Sequence, residues 1–446
     1  MDFVIIGGDA AGMSAASRAK RNRPELNVIV LEQTGDVSYS ACGMPYNIAD
    51  AKRSMDDLIV REAQVFRDKQ GIDLRLGHRA TAIDPSSRVV RGERNGGNTF
   101  EISYDKLLIA TGASPIVPDL PGFELPGVMV LKSLEEGRRI KHFIQDVAPR
   151  NVVIIGMGYV ALEMCEALRA RDIDVAMVKP GPVFLPWLQK ELAATVQTEV
   201  EAHDVPIHLG RAIEKIVRDE KGLHVIGPDL DLSCDMVLVG VGVTPNSGIA
   251  EEAGLELGPQ GAISVDERLM TSNPHIYAAG DCADAIHVVT GEKTWIPLAL
   301  RANRAGWAVA DDILGKPVSL QGVAGTAVFK VFGLQVARTG LNPKEAEKAG
   351  LTPVSVTIKA RTRAHAHPGA CIMGIQMVGD RESGRLLGAQ MVAEESAAHR
   401  INAPAVALHA GMTVEAFSQS DLAYAPPFGP VWDPALTAAV QLLKKL

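Results

Sequence analysis

Apolar and polar positions along the chain change period repeatedly. An unbroken apolar run, "FVII" from Phe3, leads into the glycine-containing "GGDAAG", then an alanine-rich stretch with helical spacing, then a second run "NVIVLE" closing at Glu32. Continuous short apolar runs predict strands buried on both faces, and strand, glycine turn, helix, strand is a βαβ unit. The same order returns at Asn151 in "NVVIIGMGYVALEMCEALRARDIDVAMVK". Two more stretches end a strand run in a glycine turn, "YDKLLIATGASP" and "SNPHIYAAGDCAD", and "IPLALRANRAGWAVADDIL" follows as a helix. Beyond about residue 322 the texture shifts to the strand-like "GTAVFKVFG", "VSVTIKA", "ACIMGIQMVGD" and "GRLLGAQMV", then helices and a proline-rich "YAPPFGPVWDP". This predicts an α/β chain with two doubly wound units and a third, α+β domain.

The glycine turns carry chemistry. A turn that follows a strand and opens a helix binds pyrophosphate through backbone N–H groups and the helix N-terminus. In the first copy Gly7 and Gly12 occupy the outer positions of G-x-G-x-x-G, but Asp9 takes the middle one. Context supports it: Glu32 ends the second strand about twenty residues on, where an acid receives a ribose hydroxyl. The second copy, with Gly156, Gly158 and Ala161, matches fully. Two copies imply two dinucleotides, one retained and one exchanged. At the strand end of the second copy Lys179 replaces the expected acid, and two readings stay open: a partner for the 2′-phosphate of NADPH, or a solvated lysine.

Composition narrows the class. With 446 residues, 47% hydrophobic and 22% charged, the chain is expected to be globular, with two or three domains. No run reaches the roughly eighteen apolar residues of a membrane span. The first strand begins at Phe3, which leaves no room for a leader, so a cytoplasmic location is expected. A net charge of −8 argues against nucleic acid as partner but leaves room for a local basic pocket. The five cysteines, Cys42, Cys165, Cys234, Cys282 and Cys371, lack C-x-x-C spacing, and no metal site is expected, His365 and His367 having no third ligand.

The ordered set "GGDAAG", Glu32, "ATGASP", "GMGYVALE", "GVGVTPN" and "YAAGD" resembles the FAD-dependent pyridine nucleotide-disulfide oxidoreductases over nearly the whole chain. The resemblance implies two Rossmann-like dinucleotide-binding domains, the NAD domain inserted in the FAD domain, and a C-terminal domain that forms a homodimer. The expected boundaries are 1–112 and 247–321 for FAD, 113–246 for NAD(P)H and 322–446 for dimerisation. FAD is then expected on Gly7, Gly12, Glu32, Ala110, Thr111, Gly112 and Asp281, and NAD(P)H on Gly156, Gly158, Tyr159 and Lys179.

"SYSACGMPY" places the chain within that resemblance. Members with an internal disulfide carry C-x-x-x-x-C, whereas here Asn47 stands at the second place, which resembles the single-cysteine branch. That branch contains coenzyme A-disulfide reductases, persulfide or polysulfide reductases, NADH oxidases and NADH peroxidases. Its oxidases and peroxidases typically have His at the fourth place of the first turn; Ala10 here disfavours peroxide chemistry. The implied activity is reduction of coenzyme A disulfide or a coenzyme A persulfide or polysulfide by NAD(P)H, with Cys42 and Tyr424 catalytic, Tyr424 reaching the partner subunit's cysteine. Coenzyme A at Cys42 would meet Ser14, Arg18, Arg21 and Ser38. A tyrosine pair of that branch is replaced by Ala366 and His367. The expected cycle passes hydride from NAD(P)H to FAD and two electrons on to Cys42, whose thiol a helix N-terminus would acidify. The alternatives are an NADH oxidase and an electron-transfer reductase for a protein partner, which would not need Cys42.

Overall fold

The computed structural model describes residues 1–446. Its first sheet is parallel, in the order Ile276–Ala278, Lys106–Ile109, Asp2–Ile6, Asn27–Glu32, Asp73–Leu76. The central strand is apolar from Phe3 to Ile6, with Phe3, Val4 and Ile5 completely buried, because the sheet shares one core with the helices on it and with the antiparallel strands His78–Asp84 and Val89–Arg94. The helix Ala10–Asn22 buries Ala11, Ala15, Ala16 and Ala19. These small side chains let the helix Ala299–Ile313 approach so closely that a Cβ on Gly306 would lie 2.2 Å from the Ala11 carbonyl oxygen.

A second parallel sheet repeats the plan in the order Ile207–Leu209, Asp174–Lys179, Asn151–Ile155, Met236–Val239, Val128–Met129. It lies in sequence between Lys106–Ile109 and Ile276–Ala278, neighbours in the first sheet, so the second dinucleotide domain is inserted within the first. The crossing strands, Ala113–Pro115 and Val243–Pro245, pair antiparallel. The C-terminal domain is a five-stranded antiparallel sheet, Ala327–Val331, Leu334–Gly340, Leu386–Ala393, Ile372–Asp380, Pro353–Arg361, covered by helices that include Pro434–Leu443.

One hydrophobic core joins three parts of the chain that sequence keeps apart. Met44 and Ile48, just after Cys42, pack with Leu162 and Cys165 of the inserted domain and with Phe329 and Val336 of the C-terminal sheet. Polar ties reinforce the junction: Glu166 accepts from Phe332 N at 2.8 Å and pairs with Lys330, while Gln390 donates to the Trp187 carbonyl at 2.7 Å. The cysteine segment is therefore held between domains. No helix is long and apolar enough to cross a membrane.

Candidate active site

The two glycine turns are built alike. Gly7 and Gly156 both have φ +111°, a left-handed conformation that glycine adopts without strain. A Cβ on Gly7 would lie 2.2 Å from the Ala110 carbonyl oxygen, and one on Gly156 would lie 2.2 Å from that of Gly240. Gly12 closes the first turn, where a Cβ would meet the Gly7 carbonyl oxygen at 1.9 Å. Gly158 faces open space, with no atom within 4 Å of a Cβ placed there. Both turns line a single cavity of about 3150 Å³, well beyond the usual range of a single ligand pocket, about 300–1,000 Å³. A bare turn at each of two helix N-termini fits two pyrophosphates.

Glu32 is buried at the end of its strand, where its carboxylate accepts from Gly8 N at 2.7 Å and from Thr34 N and Oγ1 at 2.7 and 2.8 Å. It thus braces the first turn as well as lining the cavity. Thr111 and Asn246 bond reciprocally, Thr111 Oγ1 to the Asn246 carbonyl at 2.6 Å and Asn246 Nδ2 to the Thr111 carbonyl at 2.9 Å. Gly112 sits beside them at φ +71°. Asp281 is paired with Lys132 at 2.7 Å, and its carbonyl accepts from Trp295 Nε1 at 2.8 Å. On the second turn, Tyr159 lies between Trp187 and Phe329, centroids 5.5 and 5.1 Å away. Lys179 ends its strand with its ammonium on the Val183 carbonyl at 3.0 Å and no carboxylate partner.

Cys42 occupies a single 3-10 turn, Ala41–Gly43, ahead of the short helix Met44–Ala49. Ser38, at φ +50°, stitches this segment to the first turn by donating to the Gly8 carbonyl at 3.2 Å. Of the five cysteines only Cys42 opens on the cavity; Cys165, Cys234 and Cys282 are buried, and Cys371 lies outside its lining. Cys282 is a packed residue whose thiol points to the Ile109 and Ala279 carbonyls at 3.4 Å.

The expected acidification of Cys42 is not what the structure shows. Burial pushes the thiol up, Glu163 pushes it further, and among the charges around it only Lys132 pulls it down while Asp281 and Asp9 add to the rise. A six-residue helix that begins after the thiol is outweighed by three acids facing one ammonium. Glu163 itself accepts from Tyr46 Oη at 2.7 Å.

On the first helix two of the expected substrate residues are already engaged within the chain. Ser14 Oγ donates to Asn303 at 2.7 Å, and Arg18 is engaged with Asp311 at 2.5 Å and lies over the Trp307 ring. Only Arg21 is left exposed, so the face is not a free basic stripe. Tyr424 is 48% exposed on a loop tied to the His367 loop through Ala364 N and the Pro426 carbonyl at 3.1 Å. It does not reach the cavity of its own chain. Reasoning from sequence missed Glu163 and Lys132, and held Tyr46 only as part of the "SYSACGMPY" motif, without a role. Glu163 was signalled, one helical turn beyond Tyr159 on the helix the second turn opens, whereas nothing local marks Lys132 as the partner of Asp281.

Two glycine turns shaped to take pyrophosphates, an inserted domain and one thiol at their common cavity fit a dinucleotide-dependent thiol oxidoreductase. Residues 1–306 match the pyridine nucleotide-disulphide oxidoreductase family and 326–435 its dimerisation domain. The chain belongs to that family, whose members are NAD(P)H-dependent flavoproteins using FAD. It is 39% identical to the NAD(P)H coenzyme A polysulfide/persulfide reductase of Pyrococcus horikoshii, over 98% of this chain and 97% of that one. It is 34% identical to an NADH oxidase of Methanocaldococcus jannaschii, over 100% and 99%. Among solved structures it resembles a NAD-dependent persulfide reductase from A. fulgidus, with TM-score 0.96 and 36% identity, over 100% of this chain and 83% of that one.

Proposed function

We propose that the protein reduces coenzyme A disulfide, or a coenzyme A persulfide or polysulfide, with electrons from NAD(P)H through Cys42. The observation that carries this is the position of Cys42 as the single thiol open to the cavity both turns share. The names of the Pyrococcus relative and of a Staphylococcus aureus coenzyme A disulfide reductase, 29% identical over 96% of this chain, support the sulfur substrate.

FAD, held by the Gly7 to Gly12 turn, Glu32, Ala110, Thr111, Gly112 and Asp281, supplies the route by which an electron pair travels from NAD(P)H to sulfur. The chain's own groups do the rest. The Cys42 thiolate attacks one sulfur of the disulfide, forming a Cys42–coenzyme A mixed disulfide and releasing one thiolate that takes a proton. The electron pair cleaves that mixed disulfide, releasing the second thiol and restoring Cys42. The balance is one NAD(P)H and one proton per disulfide, giving two thiols. Because the surrounding acids favour the protonated thiol, approach of a substrate must be matched by loss of a proton from Cys42. Tyr424, on the exposed face of the dimerisation domain, is assigned to the partner protomer's cleft as donor to the departing thiolate. Arg21, with Ser14 and Ser38, is assigned to the substrate, and Arg18 to it only if its pair with Asp311 opens. Gly156, Gly158, Tyr159 and Lys179 are assigned to NAD(P)H.

The M. jannaschii relative favours one second reading, oxygen as acceptor. Oxidation of NADH and NADPH, followed anaerobically with coenzyme A disulfide, coenzyme A persulfide or peroxide in turn and separately with oxygen, for wild type and Cys42→Ser, decides between them. Turnover of a coenzyme A substrate that the variant loses supports the thiol mechanism. Equal turnover by the variant, or consumption of oxygen and peroxide alone, sinks it.

A further inference from the structure

Asp9, the acid inside the first phosphate turn, has no role in the reading above. It precedes the helix Ala10–Asn22 and is that helix's N-cap. An N-cap aspartate ordinarily accepts from one of the first free N–H groups of its helix. Asp9 does not: its side chain makes no capping bond and takes only a long one, 3.4 Å, from Tyr39 N. The helix donors are left for the anion that such a turn binds.

The groups around the carboxyl are mostly of its own sign. Glu32, from the end of the second strand, and Asp281, from the loop after Ile276–Ala278, both face it. Lys132 is the cation that pulls it down, and it is already bonded to Asp281 at 2.7 Å. Tyr39 and Cys42, on the neighbouring segment, present uncharged hydroxyl and thiol groups. A pyrophosphate entering this turn adds negative charge beside these carboxyls, with Lys132 already committed to Asp281.

We propose that Asp9 meets the dinucleotide as a neutral carboxylic acid, so that the first turn takes up one proton from solvent with each cofactor bound. This accounts for an aspartate where glycine usually lets phosphate approach: ionised it would repel the ligand, and protonated it adds a donor. In the free protein burial pushes Asp9 up to about 6, so above that pH the proton is acquired on binding. Affinity then falls as pH rises, by up to about tenfold per pH unit, until the still higher pKa of the complex is passed. The inference rests on the family assignment and not on the sulfur substrate.

The test uses full-length protein stripped of cofactor and titrated with FAD from about pH 6 to about pH 8.5. Calorimetry in two buffers of different ionisation enthalpy counts protons, and flavin fluorescence gives the affinity. Wild type is expected to take up close to one proton per FAD near pH 8, and Asp9→Asn to take up none and bind with pH-independent affinity. Asp9→Gly, which restores the usual motif residue, is expected to match Asp9→Asn and serves should the latter fold poorly. Absence of uptake in wild type overturns the proposal. So does uptake that persists in either variant, because the proton would then belong to Glu32, Asp281 or Cys42.

Discussion

Replacing Glu163 by Gln tests whether the acids around Cys42 keep its thiol protonated. After burial, Glu163 is the largest cause of the rise, and Lys132 is the one group opposing it. With the thiol pushed above its ordinary value, Cys42 is mostly protonated near neutral pH. A unit charge about 4 Å away is worth about 4 kcal/mol at an effective dielectric near 20, and larger separation and solvent at the exposed thiol bring the loss of the Glu163 charge to roughly 1–2 kcal/mol. That is about a tenfold gain in thiolate. A less basic thiolate is also a weaker nucleophile, with a Brønsted slope of about 0.4–0.5, which takes back about threefold. Iodoacetamide should therefore alkylate Cys42 of Glu163→Gln about three to four times faster than wild type near neutral pH. The assay uses cofactor-free protein and site-resolved mass spectrometry, because Cys371 is also partly open. Tyr46→Phe, which removes a donor from the Glu163 carboxylate, should shift the rate the same way but less, and Lys132→Met should slow it. A Glu163→Gln rate equal to or below wild type would refute the electrostatic account.

Three further outcomes are expected. Gly12→Ala puts a methyl 1.9 Å from the Gly7 carbonyl oxygen, so the purified variant should lack flavin absorbance and lose about 1–3 kcal/mol by urea unfolding. Lys141 is buried and donates to the carbonyls of Asn47, Asp50 and Arg53 and to Asn47 Oδ1 at 2.5 to 2.9 Å, anchoring the far end of the helix after Cys42. Lys141→Met should cost about 2–4 kcal/mol in the same assay, because those acceptors lose their donor without access to water. Asp311 is held below the usual carboxylate range, by Arg18 first and also by Lys316. A depressed acid stabilises the fold above its unfolded value near 3.8 and loses that contribution as pH falls through the lower folded value. Arg18→Ala should thus cost about 1 kcal/mol near neutral pH, with the difference from wild type shrinking toward about pH 3. A cost independent of pH would locate its origin in the lost packing on Trp307 instead.

Much of the architecture was legible because it is written over short distances. Runs of apolar residues with no polar face required sheets covered on both sides, and Phe3 to Ile6 and Val152 to Ile155 are such strands. The insertion of one domain in the other was not visible in any local pattern and entered only through the resemblance. It rests on the pairing of Lys106–Ile109 with Ile276–Ala278, across the whole second sheet. The C-terminal strands were readable as segments, but the core they share with Met44 and Ile48 was not, since that core depends on how three domains pack.

The sequence by itself determined the two glycine turns, the acid at Glu32 and the isolation of Cys42 from any second cysteine. Backbone conformation at a glycine and the spacing of a turn from its helix are local properties, so Gly7 and Gly156 could be placed without knowing their neighbours. Tertiary structure alone decided the charge state of the site. Glu163, Lys132, Asp281 and Asp9 come from separate stretches and act on Cys42 through space, where Coulomb interactions depend on distance and burial and not on separation along the chain. For the same reason Arg18, basic and suitably spaced in the sequence, is neutralised in the fold by Asp311, which arrives on a helix from the far end of the domain.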